Sequence, residues 1–352
     1  MTAERPSRIL VVALRRLGDV LLTTPLMRSL KRAWPEAAID ALVFDGTQDI
    51  LAGNPDLADV IVMPARPRRG ETVALLRKLW RRYDLAMSTQ GGDRPTFYAW
   101  AAGRRSVGFV EGNNISARLK RLALTHAVEI AAGTHRVREV LRLAEPLGVR
   151  PIAEVVAPGA PQARMSQAKP YAVIHAAPMF RYKRWTDDGW RTLARALSER
   201  GLAVVATGGP ADKAALDALW AGRPDVRRLD GALSWPELAA LVRGAAVYVG
   251  PDTSVTHLAA ATGVSTIALY GPTDPRLWGP WPVSGLDPAW TAAGTIQTRG
   301  NVWLVQNPLP CLPCQQEGCL RRLDSYSLCL DELSLRQVLE AVDAALASPA
   351  AA

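Results

Sequence analysis

Apolar residues along this chain come in two rhythms. Short continuous runs recur at residues 8–14 (Arg-Ile-Leu-Val-Val-Ala-Leu), Ile39–Phe44, Val60–Met63, Leu85–Ser88 and Ser106–Phe109. A run apolar at every position suits a strand covered on both faces, as in a parallel sheet. Between the runs lie stretches with helical spacing, the first from Asp19 to Ala33 and closed by Trp34-Pro35. Strand and helix in alternation predict βαβ units and a doubly wound sheet.

A Pro/Ala/Gln-rich stretch, Ala157 to Pro170, interrupts the rhythm and reads as a linker. The alternation then restarts. Strands are expected at Tyr171–His175, Ala203–Thr207, Val226–Leu229, Val247–Val249 and Thr266–Leu269. Helices are expected at Asp188–Arg200, Ala211–Ala221, Trp235–Arg243, Ser254–Thr262 and Leu333–Ala347. The pattern predicts two α/β domains, residues 1–165 and 166–352, each Rossmann-like, with ligands at the carboxyl ends of the strands. The last helix could pack back on the first domain.

The 352 residues suffice for two domains, and 49% hydrophobic with 21% charged residues is a globular composition. No apolar run approaches the ~20 residues of a membrane span, and Ile9–Leu14 is too short for a signal-peptide core. A cytoplasmic location is therefore expected. The net charge of +9 sits entirely in the first half, where 25 Lys/Arg face 16 Asp/Glu; residues 166–352 hold 17 of each. Such asymmetry suits an anionic partner, whether phosphorylated lipid, nucleic acid or a membrane surface, and equally a solvated basic face.

Three segments could carry chemistry. In Leu17-Gly18-Asp19-Val20, Gly18 permits a tight turn after a buried strand; Asp19 is either a helix cap or a carboxylate at the strand's carboxyl end, available as a general base. In Arg181-Tyr182-Lys183-Arg184-Trp185-Thr186, three cations precede a helix and suit a diphosphate, or form a solvated loop capped by Thr186. In Val247-Tyr248-Val249-Gly250-Pro251-Asp252-Thr253-Ser254, with His257 beyond it, a strand runs into a helix whose N-terminus could hold phosphate. Alone, this cluster would be an ordinary cap and His257 a core histidine.

Taken in order, Leu17-Gly18-Asp19-Val20, Lys183-Arg184-Trp185, Gly208-Gly209-Pro210, Asp252-Thr253-Ser254 with His257, and Tyr270-Gly271-Pro272-Thr273-Asp274-Pro275 resemble the glycosyltransferase family 9 heptosyltransferases. The segment from Arg299-Gly300-Asn301-Val302 to Cys329-Leu330 is most similar to the heptosyltransferase III branch. The resemblance implies a GT-B fold and an inverting, metal-independent transfer of heptose from ADP-L-glycero-β-D-manno-heptose to a heptose of the lipid A-core acceptor. It implies acceptor binding by residues 1–165 and donor binding by 166–352, at the cytoplasmic face of the inner membrane. By the same resemblance Asp19 is the base, and Lys183 meets the leaving diphosphate. Gly18, Arg184, Gly209, Asp252, Thr253, Ser254 and His257 line the donor site, and Asp212 is the acidic residue for the ribose. The family often has glycine at the place of Ser254.

All four cysteines lie in one stretch, Cys311, Cys314, Cys319 and Cys329. In a cytosolic chain four thiolates could close a structural zinc or iron site, and related autotransporter heptosyltransferases carry an iron-holding cysteine cluster; four reduced thiols in a loop is the other reading. No cofactor is expected for catalysis. Alternatives are a GT-B enzyme with another nucleotide sugar, a nicotinamide-dependent oxidoreductase, for which residues 13–20 lack the G-x-G-x-x-G turn, and a nucleic-acid binder, for which no RNA-binding motif or finger spacing is present. Nucleic acid is not an expected partner. An anionic membrane surface is one, with Arg66, Arg68, Arg69, Arg77, Lys78, Arg81 and Arg82 around a helix bearing Leu75, Leu76, Leu79 and Trp80 as the docking region. That helix could equally pack its leucines on the sheet.

Overall fold

A computed structural model describes residues 5–159 and 170–348. The chain divides into two compact units, residues 1–158 and 159–352. The boundary expected at 165/166, and most of the expected linker, lie outside the described residues.

The first unit runs β1 (Arg8–Ala13), α1 (Leu17–Leu21), α2 (Thr24–Ala33), β2 (Ala38–Phe44), β3 (Asp59–Met63), α3 (Arg69–Leu79), β4 (Tyr83–Ser88), α4 (Asp93–Ala102), β5 (Gly103–Val110), α5 (Ile115–Ala123), β6 (His126–Glu129) and α6 (Arg136–Leu141). The helix expected over 19–33 is two helices. Pro25 has no N–H to donate to the Leu21 carbonyl, and the Thr24 hydroxyl takes that acceptor at 2.7 Å. The sheet order is β3-β2-β1-β4-β5-β6, parallel throughout. The chain winds outward from β1 to β3 and then returns to β4 on the other side of β1. This creates a switch point between β1 and β4. Right-handed crossovers place α3, α4 and α5 on one face of the sheet. Leu10, Val12, Leu42, Leu79, Tyr98 and Ala99 form the core there, with Leu75 and Leu76 packed against it. The leucine face of α3 is thus committed to the sheet, the second of the two readings of that helix; of Leu75, Leu76, Leu79 and Trp80 only Trp80 is exposed.

The second unit contains β7 (Tyr171–His175), α7 (Asp187–Glu199), β8 (Ala203–Thr207), α8 (Lys213–Leu219), β9 (Val226–Arg228), α9 (Trp235–Arg243), β10 (Val247–Pro251), α10 (Ser254–Thr262), β11 (Thr266–Leu269), α11 (Pro275–Trp278), β12 (Ile296–Arg299), β13 (Val302–Val305), α12 (Leu328–Asp331) and α13 (Leu335–Ala347). The order is β12-β13-β11-β10-β7-β8-β9, with only β12 antiparallel. Its switch point falls between β7 and β10. One core joins Trp185, Trp190, Leu193, Leu216 and Ile267. The other, under α9 and α10, joins Val173, Leu241, Tyr248 and Ala259. Val338, Ala341, Val342 and Ala345 of α13 repeat at helical spacing and sit in the first of these cores, so this face of the last helix packs on its own unit.

Candidate active site

Ligands of doubly wound sheets bind outside the carboxyl ends of the strands at the switch point. In the second unit β7 and β10 meet there. After β7 the chain passes to a short 3-10 turn, Arg181–Lys183, just ahead of α7. The turn is anchored on both sides: the Ser327 hydroxyl donates to the Tyr182 carbonyl at 2.6 Å, and the buried Trp185 indole donates to the Leu333 carbonyl at 2.9 Å. Phe180 and Tyr182 stack with centroids 5.4 Å apart. These contacts hold Lys183 where its ammonium reaches Asp252, just past β10, at 2.5 Å.

Asp252 is buried. Its Oδ2 also accepts from the Thr273 hydroxyl at 2.6 Å, and Nε2 of His257 lies 4.0 Å from Oδ1. Burial alone would push the Asp252 carboxyl up; the Lys183 charge, then His257, and the hydrogen bonds outweigh it and hold the pKa below the ordinary value. Asp252 is therefore a carboxylate aligned by three elements, the turn before α7, α10 and the loop after β11.

No side chain caps α10: its N-cap residue is Thr253, and the hydroxyl makes no capping bond. The amides of the first turn, beside the half-buried Thr253 and Ser254, are thus left to an external acceptor, and the helix dipole favours an anion there. The neighbouring rim, after β8, is built differently. The Asp212 carboxylate accepts from the Gly209 amide at 2.8 Å, closing a 3-10 turn over Pro210–Asp212. A side chain at Gly208 would meet Leu216 Cδ1 at 2.4 Å, so a larger residue here would require that leucine to shift. Arg184 is turned toward the helix it precedes, donating to Asp187 at 2.5 Å.

In the first unit Asp19 lies in the opening turn of α1, beyond the end of β1 and beside the β1/β4 switch point. Gly18 is inside that helix rather than in the turn after β1, which corrects the expectation for it. Asp19 caps nothing. Its Oδ1 is buried without a hydrogen bond, 3.5 Å from the Arg15 guanidinium. Arg136 stands nearby, buried, donating to the Thr89 carbonyl at 2.8 Å. Burial pushes its guanidinium down to about 10, Asp19 pulls it up, and Arg15 pushes it down. One oxygen of the Asp19 carboxylate, beside this strand end, thus has a cation near it but no hydrogen-bond donor.

The structure gathers Lys183, Asp252, Thr253, Ser254 and His257 around the β7/β10 switch point, with Gly209 and Asp212 on the next strand end. Thr273 belongs to this group, although its sequence signal was only a loop motif. Arg136 and Arg15 had no signal at all, because an arginine in a basic, amphipathic chain looks like surface. The cysteine metal site is not formed: no group of three or more His, Cys, Asp or Glu side chains among the described residues could hold a metal ion. Cys311 and Cys319 are exposed, while Cys329 is buried against the Gly271 backbone. Burial, then the neighbouring Cys314, Cys319 and Cys311, push the Cys329 thiol up to about 12, and Cys319 Sγ accepts from the Leu328 amide at 3.4 Å.

Comparison with known proteins places this geometry. The family described as Glycosyltransferase family 9 (heptosyltransferase) matches residues 72–286. Lipopolysaccharide heptosyltransferase 3 of Escherichia coli is 29% identical over 75% of this chain and 83% of its own. Lipopolysaccharide heptosyltransferase 1 of Pseudomonas aeruginosa is 28% identical over 97% of this chain and 99% of its own. The E. coli heptosyltransferase WaaC, solved with ADP, superimposes with a TM-score of 0.74 at 22% identity over 96% of this chain and 99% of that one. It has also been solved with ADP-2-deoxy-2-fluoro heptose. The two doubly wound units have the GT-B fold of these structures.

Proposed function

This chain belongs to glycosyltransferase family 9, and from that premise we propose that it transfers heptose from ADP-L-glycero-β-D-manno-heptose to an inner-core heptose of lipopolysaccharide, with inversion. The observation that carries the donor half is the uncapped N-terminus of α10 beside Lys183 and Asp252. An ammonium and a row of free amides suit a diphosphate, and both gain strength as negative charge develops on the departing ADP. Asp252, accepting from Lys183 and Thr273, would take sugar hydroxyls with its remaining lone pairs. Thr253 and Ser254 would hold phosphate oxygen, His257 would keep the loop in place, and Arg184, Gly209 and Asp212 would edge the nucleotide. In the acceptor half, Asp19 would remove the proton from the nucleophilic hydroxyl. The oxygen then forms a bond to the anomeric carbon from the side opposite ADP, and the bond to the phosphate oxygen breaks. Lys183 and the α10 amides meet the charge that leaves, so the chemistry calls for no cofactor.

The roles divide by unit: the first unit for the acceptor and the second for the donor. The basic excess of the first unit suits an acceptor rich in phosphate and carboxylate. The likeness to heptosyltransferase 3 and the cysteine-bearing segment support the third branch of the family. No helix of the described residues is long and apolar enough to cross a membrane; we place the enzyme at the cytoplasmic face of the inner membrane, peripherally bound.

The test mixes purified protein with ADP-heptose and a truncated, heptose-terminated core acceptor, and follows product by mass spectrometry beside UDP-sugar controls. Addition of one heptose that depends on ADP-heptose is the expected result. Transfer from a UDP-sugar alone would overturn the donor and retain the fold.

A further inference from the structure

Helix α5 is inside out. Its buried residue is Ala117, which packs with Val110 and Leu124 in a three-residue cluster. Its large apolar residues point away from the protein: Ile115, Leu119 and Leu122 are 78%, 60% and 84% exposed. Their spacing, i, i+4 and i+7, makes one continuous stripe along the helix. Burial in the core would normally claim these residues.

The stripe does not stand alone. α3, α4 and α5 lie on the same face of the sheet, and α4 touches both of the others. Across α4 runs an aromatic row in which Phe97 and Trp80 are exposed and Trp100 is half-buried. Phe97 and Trp100 have centroids 5.9 Å apart, and Trp100 and Trp80 6.0 Å. Arg81 lies over both indoles at 5.7 and 5.6 Å, its backbone in the left-handed region at φ 48° and its guanidinium bonded to the Gly103 carbonyl at 2.6 Å. Trp80, 55% exposed, thus stands beside a cation whose backbone adopts a conformation uncommon for a residue other than glycine.

We propose that the face made by α5 and the Phe97–Trp100–Trp80 row docks on an anionic lipid bilayer, the aliphatic stripe entering the headgroup–acyl boundary. Charge complementarity selects this occupant. α3, α4 and α5 carry seven Lys/Arg and two Asp/Glu, and the two acids are engaged, Glu71 at the N-terminus of α3 and Asp93 with Lys120. A second copy of the chain would bring this basic face against its own image in a two-fold interface, like charge on like charge. An anionic leaflet attracts the same cations, and Trp and Arg suit the interfacial layer. The idea draws its purpose from the reading of a lipid-linked acceptor, but flotation is measured without substrate and so stands or falls separately.

The experiment floats the full chain with vesicles of phosphatidylcholine containing phosphatidylglycerol, and with phosphatidylcholine alone. Wild type floats with the anionic vesicles and little with the neutral ones. The triple variant Ile115→Ser, Leu119→Ser, Leu122→Ser loses about 100-fold in partitioning, because three aliphatic side chains no longer enter the lipid. It keeps wild-type transfer to a lipid-free acceptor. A second variant, Arg77→Glu with Arg118→Glu, changes exposed cations only and loses anionic binding while leaving the stripe. Wild type that stays with the soluble fraction, or a triple variant that floats as well as wild type, overturns the proposal. So does a wild-type dimer in sedimentation that the triple variant dissolves while flotation is absent.

Discussion

Replacing Lys183 with alanine removes the ammonium 2.5 Å from Asp252 and leaves a buried carboxylate to which the Thr273 hydroxyl still donates. Removing one partner of a buried ion pair costs ~3–5 kcal/mol. Lys183 is 21% exposed and Thr273 stays, so water and one hydroxyl soften the loss; about 2–3 kcal/mol is expected at neutral pH, or a fall of roughly 4–10 °C in the Tm of the second unit. The penalty has a pH signature. In the wild type Asp252 titrates below its ordinary value, so its contribution is present above the unfolded value of about 3.9 and is lost only as pH falls through the lower folded value. In Lys183→Ala the largest lowering influence is gone, and burial pushes the folded value up from its wild-type position. The variant then gains relative stability as pH falls toward 4, because its folded state takes up the proton. Thermal melts at pH 7 and pH 4.5 should therefore show the gap between variant and wild type closing. The double variant Lys183→Ala, Asp252→Asn should recover part of the loss at pH 7. An equal gap at both pH values, or a double variant no more stable than the single one, would refute the assignment of Asp252 as a charge dependent on Lys183.

Asp19→Ala should lower kcat by roughly 10²–10⁴-fold, the range for a lost general base, and leave ADP affinity by calorimetry unchanged; retained turnover would reject Asp19 as the base. His175 is fully buried beside Thr207, and burial lowers its pKa to about 4. Its folded value lies below its unfolded ~6.5, so the unfolded chain takes up the proton first. Stability of the second unit should fall between about pH 6.5 and 4, and denaturant midpoints across that range should fall less steeply in His175→Gln. At pH 8, iodoacetamide should modify Cys311 and Cys319 in the native protein and spare Cys329, whose thiol is pushed up to about 12; peptide mass mapping reads the order, and rapid labelling of Cys329 would contradict its burial.

The sheets and their rims were legible in the chain because a strand covered on both faces must be apolar at every position. Residues 8–14, Tyr171–His175 and Val247–Val249 could hardly be anything else, and the residues just after them had to lie on the rim. Asp19, Lys183, Asp252 and Ser254 were located this way, by position after a strand. Of the four edge strands, β3 and β9 were legible and β6 and β12 were not. β6 and β12 are short and carry polar residues, since an edge strand is covered less than a central one, and Pro25 split a helix whose periodicity ran on unbroken.

What the sequence determined by itself is the local order: which segments are strands, which helices, and which residues stand at strand ends. Those follow from periodicity and turn chemistry, which act over a few neighbours. What only the tertiary structure decided is pairing and facing. Lys183 and Asp252 are 69 residues apart and meet because β7 and β10 are adjacent strands. The leucines of α3 turn inward and those of α5 outward, although both helices are amphipathic and basic, because the crossover fixes which side of each helix the sheet can cover. Four cysteines within one short stretch form no group among the described residues that could hold a metal ion; two face solvent and one lies in the core. Periodicity states that a face exists; the fold determines what it meets.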